Sequence, residues 1–458
     1  MARDFTYDMT KGNPTKLLIK FSLPMLVGNL FQQFYNMVDA MIVGRFVGAN
    51  ALGAVGATGS ITFLFFSLTF GLSAGIGIVI SQLFGAAQMK RVKEAISTAM
   101  YVMVFSSLLM GILGIVLARP IMSALQTPPE MLEDAILYMR ITCAGMLAVG
   151  LYNGFASILR ALGDSVTPLI FLSVACVLNV GLDYVFVVNF GWGVLGVGVA
   201  TIIAQAVAAI GCVVFARRHN ELFRIPLREI VVHKDLLKRS LGLGIPVALQ
   251  NSMIAISCVF LQWVINGFGP VTVAAFTVEN RFEQLVQQPF NSLGAALATY
   301  TGQNMGAGQI ERVKKGFWAG TRISTFFSLM MLPLNWVFAE DIMKWFTSDE
   351  AVIAAGAQGI QIVCLFYAAL GMIYVTRNVL NGAGDANFAM LSGFVEVGGR
   401  VGFAKPLSMI PAVGSLSIWF TTGLTWTITA LISCIRYGQG KWKIKGLTTK
   451  IESKQIEV

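Results

Sequence analysis

A chain of 458 residues with 56% hydrophobic and only 12% charged side chains, and a mean hydropathy of +0.72, is far too apolar for a water-soluble protein, which would carry about twice that share of charge. The net charge of +10 would suit nucleic-acid binding if it were concentrated in one patch, but the basic residues are dealt out between apolar runs, which excludes that class. Crossing a hydrocarbon core takes about 20 apolar residues per helix. Twelve runs meet that demand, at 17–43, 53–83, 94–118, 134–159, 165–189, 192–217, 237–264, 271–303, 315–338, 350–378, 387–409 and 411–437. They are long and continuously apolar, so they read as helices and not as the alternating strands of a barrel. The expected fold is an all-α polytopic membrane protein, with twelve transmembrane helices in two pseudo-symmetric six-helix bundles.

Before the first run, MARDFTYDMTKGNP is polar and has no cleavable signal pattern, so the first span is expected to act as an uncleaved insertion signal. Lys and Arg gather in alternate connections: Lys16 and Lys20; Lys90, Arg91 and Lys93; Arg160; Arg217 through Arg239; Arg312, Lys314 and Lys315; Arg377; and Arg436 through Lys454. This asymmetry, with an even number of spans, predicts two cytoplasmic termini in a multi-pass protein of the plasma membrane. The polar stretch 217–236 holds both histidines, His219 and His233. It is expected to be a cytoplasmic linker, with room for a short amphipathic helix, between a first lobe (1–216) and a second (237–437). Residues 438–458 form a basic tail. The six cysteines lie in or at the ends of spans without CxxC spacing, so they suit packing and not a disulfide framework or a zinc site.

The two lobes are copies. Gln82–Ala95, QLFGAAQMKRVKEA, returns 221 residues later as QNMGAGQIERVKKG, with seven of fourteen positions identical. The same offset carries Gly163-Asp164 onto Gly384-Asp385, Cys143 onto Cys364 and Gly150 onto Gly371. A duplicated apolar chain is the signature of membrane bundles built around a central site.

Three strings imitate catalytic motifs. Gly71-Leu72-Ser73-Ala74-Gly75 fits GxSxG, but that nucleophile needs a histidine base, and both histidines fall in the linker. Gly382-Ala383-Gly384-Asp385 resembles an intramembrane protease motif, yet its duplicate at Gly163-Asp164 argues for a turn used twice. No phosphate-binding GxxxxGK[ST] string exists, so any transport would run on an ion gradient. The chain is expected not to be an enzyme and to hold no cofactor.

The informative residues are polar groups inside spans, each costing roughly 2.5–3.5 kcal/mol or more at the bilayer centre. Gln32, Asn36 and Asp39 share one face of the first span, Asn179 and Asp183 lie four apart on the fifth, and Thr201 and Gln205 four apart on the sixth. Two carboxylates with amide and hydroxyl oxygens beside them suit Na⁺ or an exchangeable proton. The alternative for the amides is polar glue between helices. The eighth span carries Asn280, Gln284, Gln287, Gln288 and Asn291 as a polar stripe fit for a wet cavity wall, with Glu279, Arg281 and Glu283 beside it. On the eleventh, Glu396 lies four before Arg400, which predicts an internally compensated pair; the acids could alternatively help bind cationic substrates.

The first span, FSLPMLVGNLFQQFYNMVDAMIVGRFVG, resembles the first helix of the multidrug and toxic compound extrusion (MATE) family, and LRALGD and TGQNMGAG extend the likeness over nearly the whole chain. The resemblance implies a coupling-ion site at Asp39, Asn179, Asp183 and Thr201, and a first-helix bend at Pro24. Some relatives place coupling acids on the seventh and tenth helices; this chain has none in the apolar centres of those spans. By the 221 offset Asn179 becomes Arg400 and Asp183 becomes Ala404, and with one residue of slip Asp39 becomes Leu261, so the ion site is expected only in the first lobe. The expected function is H⁺- or Na⁺-coupled antiport of small cationic or amphipathic molecules by a monomer. Gln32, Asn36, Gln205, Glu279, Asn280, Glu283, Gln284, Gln287 and Gln288 are expected to line the cavity. A flippase for a lipid-linked saccharide, on the related fold of the same superfamily, is the alternative. A strongly cationic cavity and extra helices would favour it, and only Arg281 and Arg400 are evident in the second-lobe interior.

Overall fold

In a hydrocarbon solvent every backbone N–H must find its acceptor within its own segment, and long apolar runs meet that condition as helices. The computed structural model describes residues 7–125 and 127–446; residues 447–458 of the basic tail lie outside the described residues. Fourteen α-helices follow in order: α1 (Pro14–Ile42), α2 (Ala49–Gly85), α3 (Met89–Ala124), α4 (Pro129–Ala144), α5 (Met146–Ala161), α6 (Val166–Asp183), α7 (Gly193–His219), α8 (Lys234–Asn266), α9 (Pro270–Gly306), α10 (Ile310–Lys344), α11 (Glu350–Cys364), α12 (Tyr367–Ala383), α13 (Ala386–Ser408) and α14 (Ser417–Gly438). No strand occurs among the described residues.

The spans predicted at 134–159 and 350–378 are each broken in two: α4 meets α5 at 45° and α11 meets α12 at 51°. With each bent pair taken as one segment, the described residues form twelve long helical segments, the number of spans expected. Seven single helices and both pairs pass on length and apolarity; α1, α9 and α13 are long enough, and their polar residues keep them out. Those three helices carry most of the candidate site residues.

The described residues divide into two compact units, one of 23–249 with 7–8, the other of 250–446 with 9–22. Inside the first, α2 lies so close to α8 that a Cβ on Gly71 would sit 2.4 Å from the Ala248 nitrogen, and one on Gly75 would sit 2.5 Å from that of Gly244. The GxSxG string is thus a helix-packing surface, and Ser73 spends its hydroxyl on the Thr69 carbonyl at 2.8 Å. The linker forms single 3₁₀ turns at Glu221–Phe223 and Leu227–Glu229 in place of an amphipathic helix. Pro226 interrupts it, and its backbone docks on α3: Val231 N–H donates to Ser97 Oγ (2.7 Å), His233 N–H to Thr98 Oγ1 (3.1 Å), and the Tyr101 hydroxyl to the Ile230 carbonyl (2.8 Å).

The duplication is visible in backbone geometry. Left-handed residues recur at the 221 offset: Gly48 and Gly269 (φ 120° and 89°), Ala87 and Gly308 (55° and 69°), Gly163 and Gly384 (93° each), Gly193 and Gly414 (55° and 50°). Both helix breaks obey the same offset, since α5 begins at Met146 and α12 at Tyr367. At these breaks the packing is mirrored in size. A Cβ on Gly145 would meet Ile202 of α7 at 2.3 Å, whereas at the matching positions Phe366 fills the space over Gly423 of α14 at 2.2 Å. The large and small partners have changed places, and the close approach survives.

Candidate functional site

Within the first unit the structure brings together four of the predicted residues. Asn179 and Asp183 occupy the last two turns of α6, 2% and 0% exposed. The Asn179 amide donates to Thr201 Oγ1 of α7 at 3.4 Å, and Thr201 in turn donates to the Val197 carbonyl at 3.0 Å. The Asp39 carboxyl, half-buried on α1, lies against that of Asp183. Asp39 Oδ1, both Asp183 oxygens and Asn179 Oδ1 are buried with no hydrogen-bond donor on them. Tyr35 and Tyr138 lie near enough to the acids to feel their charge. π-helical turns at Val43–Val47 and Tyr184–Asn189 follow shortly after the two acids, and Val43 and Val187 belong to one apolar cluster with Ile42 and Val197. Such wide turns recur at functional sites because they rotate side chains out of the regular helical register.

Two buried carboxyl groups in contact cannot both stay charged without a cation, because buried like charges repel and no protein donor offsets them here. All the free atoms are oxygens, a set that suits a proton or a hard cation. Among the described residues there is no group of three or more His, Cys, Asp or Glu that could hold a metal.

The pair opens onto a cleft of about 490 Å³ contained in the first unit. Gln32, Asn36 and Asp39 line it together with Gln205 and Thr201, and Phe63, Phe66 and Phe70 add an apolar part. A side pocket of about 10 Å³, room for about one water, reaches Asn179 past Tyr35 and Cys176. Sequence reasoning missed Tyr35, Tyr138 and Arg160 on this lining. Tyr35 lies four before Asp39, a spacing that could have revealed it. Arg160, expected in a connection, lies in the last turn of α5. Pro24 sits inside α1, which runs unbroken from Pro14 to Ile42.

The second unit keeps the frame with different chemistry. Leu261 and Ala404, the counterparts of Asp39 and Asp183, meet in one apolar cluster with Ile418. The Thr201 bond is repeated by Thr422, which donates to the Ile418 carbonyl at 3.2 Å. On α9 the predicted residues divide between two faces. Glu279 and Glu283 are buried: Trp419 Nε1 donates to Glu279 at 3.2 Å, and the Gln287 amide donates to Glu283 while its oxygen accepts from the Tyr374 hydroxyl at 3.2 Å. Asn280, Gln284 and Gln288 lie on the other, partly exposed face, where Gln288 donates to the Gln284 carbonyl (2.9 Å) and Gln284 to Asn280 Oδ1 (3.1 Å). Arg281 is exposed and makes no ion pair among the described residues.

The predicted Glu396–Arg400 pair is not formed. Glu396 pairs with Arg377 of α12, which was expected in a connection, while Arg400 donates to Ser257 Oγ (2.7 Å) and Cys258 Sγ (2.8 Å). Residues four apart share a helix face, but a neighbouring helix offers a shorter reach to the carboxylate. The two Gly-Asp turns use their acids structurally. Asp164 caps α6 through Val166 N–H (3.0 Å) and Thr167 N–H (2.9 Å), and Asp385 accepts two bonds from Arg436 (2.8 and 3.1 Å). Gly163 could not carry a side chain, since its Cβ would lie 2.2 Å from the Tyr7 carbonyl.

The MatE family model matches residues 24–185 and 246–404. A curated relative from Bacillus subtilis (strain 168), the probable multidrug resistance protein YpnP, is 29% identical over 97% of this chain and 99% of its own length. The fold matches a solved multidrug resistance MATE transporter of the MOP superfamily in an outward-facing conformation (TM-score 0.88, 22% identity, 97% of this chain and 99% of that one). It also matches a MATE structure described as the bent conformation (TM-score 0.86, 23% identity, 98% and 100%). These likenesses do not favour the flippase alternative. The helix order, the internal repeat and the match over most of both halves agree, and the chain belongs to the MATE family of multidrug efflux transporters.

Proposed function

We propose that the chain is an antiporter that exports organic cations and drug-like amphiphiles in exchange for H⁺ or Na⁺, by alternating access. The observation that carries the reading is the Asp39–Asp183 carboxyl pair, whose buried oxygens lack protein donors and which opens onto a cleft with both amide and aromatic walls. Loading the pair with a proton or Na⁺ removes the repulsion between its charges; a cationic substrate entering the cleft competes for the same negative charge. Thr201 and Asn179 supply further oxygens and hold the geometry. Gln32, Asn36 and Gln205 give adaptable hydrogen bonding in the cleft. Pro24, which has no N–H to donate, is the proposed point at which α1 bends during the cycle. In this reading the halves 1–216 and 237–437 move about the linker 217–236, the protein acts as a monomer in the plasma membrane, and both termini are cytoplasmic.

Exchange of one proton for one monovalent cation moves no net charge, so only the pH difference would drive it. A charge crossing 100 mV is worth about 2.3 kcal/mol, which reaches the substrate only if more than one coupling ion moves per cycle. Efflux of a fluorescent cation from everted vesicles, with a pH or a Na⁺ gradient imposed alone, tests the proposal. Efflux driven by one of the two in the wild type and lost in Asp39→Asn is expected. Export indifferent to both gradients would reject it.

A further inference from the structure

In the second unit, α10 carries a basic and aromatic row along one face. Lys315, Trp318 and Arg322 lie three and four apart, and with the first turn of α1 they line a groove of about 480 Å³. All of it belongs to the second unit, and none of its residues lines the cleft that holds the carboxyl pair. Glu311 is the acid on this lining, and it is taken up by Lys314 at 2.5 Å. That ammonium holds the Glu311 carboxyl below its usual range, with Lys443 and Lys315 adding to the effect. Lys315 and Arg322 are exposed and, among the described residues, form no ion pair and no side-chain hydrogen bond. The groove therefore keeps two positive charges without partners. α1 adds the positive end of its dipole but no open donor from its first turn, because Asn13 Oδ1 already accepts from Thr15 N–H (2.9 Å) and Lys16 N–H (3.3 Å).

Arg322 is the costly member of the row. It lies inside the apolar run 315–338, seven residues or about 10 Å beyond Lys315. Its face of α10 continues in Phe326 and Leu329, which are 72% and 62% exposed and suit contact with hydrocarbon. A guanidinium without a partner beside such a face is expensive unless an anion meets it. A phosphate does so, since the arginine fork takes two of its oxygens and a lysine adds a point charge. The exposed indole of Trp318 suits the level at which headgroups give way to acyl chains. A soluble anion would satisfy Arg322 and Lys315 and leave the apolar face bare. A molecule with both a phosphate and an acyl chain covers the two together.

We propose that this groove binds the headgroup phosphate of an anionic glycerophospholipid, with Arg322 and Lys315 on the phosphate and an acyl chain along Trp318, Phe326 and Leu329. The lipid is a resident ligand of the second unit and not cargo, so the site stands apart from the antiport reading.

The test titrates the purified, delipidated full-length protein in a nonionic detergent with three probes, followed by native mass spectrometry: dioleoylphosphatidylglycerol, dioleoylphosphatidylcholine and glycerol 3-phosphate. The wild type is expected to bind phosphatidylglycerol about tenfold more tightly than phosphatidylcholine, whose choline cancels the phosphate charge, and to bind glycerol 3-phosphate more weakly still. Arg322→Gln should weaken phosphatidylglycerol binding about tenfold, the value of a lost hydrogen bond to a charged group. Arg322→Lys, which keeps the charge without the fork, should recover part of that loss. Lys344→Gln, in the last turn of the same helix, should change it less than about twofold. Thermal unfolding without lipid identifies any variant that fails to fold, and Lys315→Gln gives the same reading should Arg322→Gln be one. Equal affinity of the wild type for the two lipids overturns the proposal without any variant. So does undiminished phosphatidylglycerol binding in folded Arg322→Gln, or an equal loss in Lys344→Gln, which would mark a general effect of surface charge. Glycerol 3-phosphate bound as tightly as phosphatidylglycerol would make the groove a site for soluble anions and overturn the lipid assignment.

Discussion

Glu396→Gln should destabilise the second unit through Arg377, not through Arg400. The Arg377 and Glu396 side chains are 11% and 6% exposed, so little water remains to compensate a broken pair. Removing one partner of a buried ion pair costs about 3–5 kcal/mol, because the other charge is stranded. Here the loss should fall at the low end, near 3 kcal/mol. Gln250, with its amide oxygen turned to Arg377, accepts from Nη1 at 2.7 Å and from Nε at 2.8 Å, and so keeps part of the guanidinium satisfied. A double-mutant cycle of Arg377→Met with Glu396→Gln, read by denaturant unfolding in detergent, should give a coupling energy of about 2–3 kcal/mol. The cycle of Arg400→Met with Glu396→Gln should give about 0.5 kcal/mol or less, since Arg400 is held by Ser257 and Cys258. Variants that fold should still export substrate, because neither residue belongs to the carboxyl pair. A larger coupling for Arg400 than for Arg377 would refute the pairing.

Asp39→Asn and Asp183→Asn should each abolish ion-driven export, and the double variant should lose no more than either alone; independent, multiplying losses in vesicle transport would show two separate sites. Gly163→Ala should cost about 1–3 kcal/mol in unfolding measurements through its left-handed backbone and the Tyr7 carbonyl, whereas Gly181→Ala on α6, with no atom within 4 Å of its Cβ, should be neutral or stabilising. Equal effects of the two would remove the close-contact explanation. Glu279→Gln keeps an acceptor for Trp419, so it should change the relative export of different substrates while leaving the ion dependence of transport intact; loss of ion dependence would contradict this.

The spans were legible because crossing a membrane demands length and apolarity, which no local detail can hide. The breaks at Gly145 and Phe366 were not, because apolar composition runs straight through both and the bend depends on what Ile202 and Gly423 bring from other helices. The turns at Gly163 and Gly384 could be read, since a duplicated Gly-Asp at fixed spacing leaves little choice but a left-handed turn. Asp39, Asn179 and Asp183 stood out as polar groups where polarity is costly, and helical spacing placed them on single faces. Helical spacing also suggested Glu396 with Arg400, and there it misled. Arg377 is 19 residues away on another helix, and only the packing of α12 against α13 shows the shorter reach. Arg160 and Arg377, which the sequence placed in connections, lie in the last turn of α5 and within α12, because both helices extend beyond their apolar cores.

Ion binding to purified single-residue variants tests the placement of the coupling site most directly. Proton release and Na⁺ binding would be measured on the wild type, Asp39→Asn and Glu279→Gln in the same detergent, with substrate added to each. The expected result is that Glu279→Gln binds and releases the coupling ion as the wild type does, while Asp39→Asn does not. Ion binding abolished by Glu279→Gln and intact in Asp39→Asn would contradict it, and would put the coupling site in the second unit.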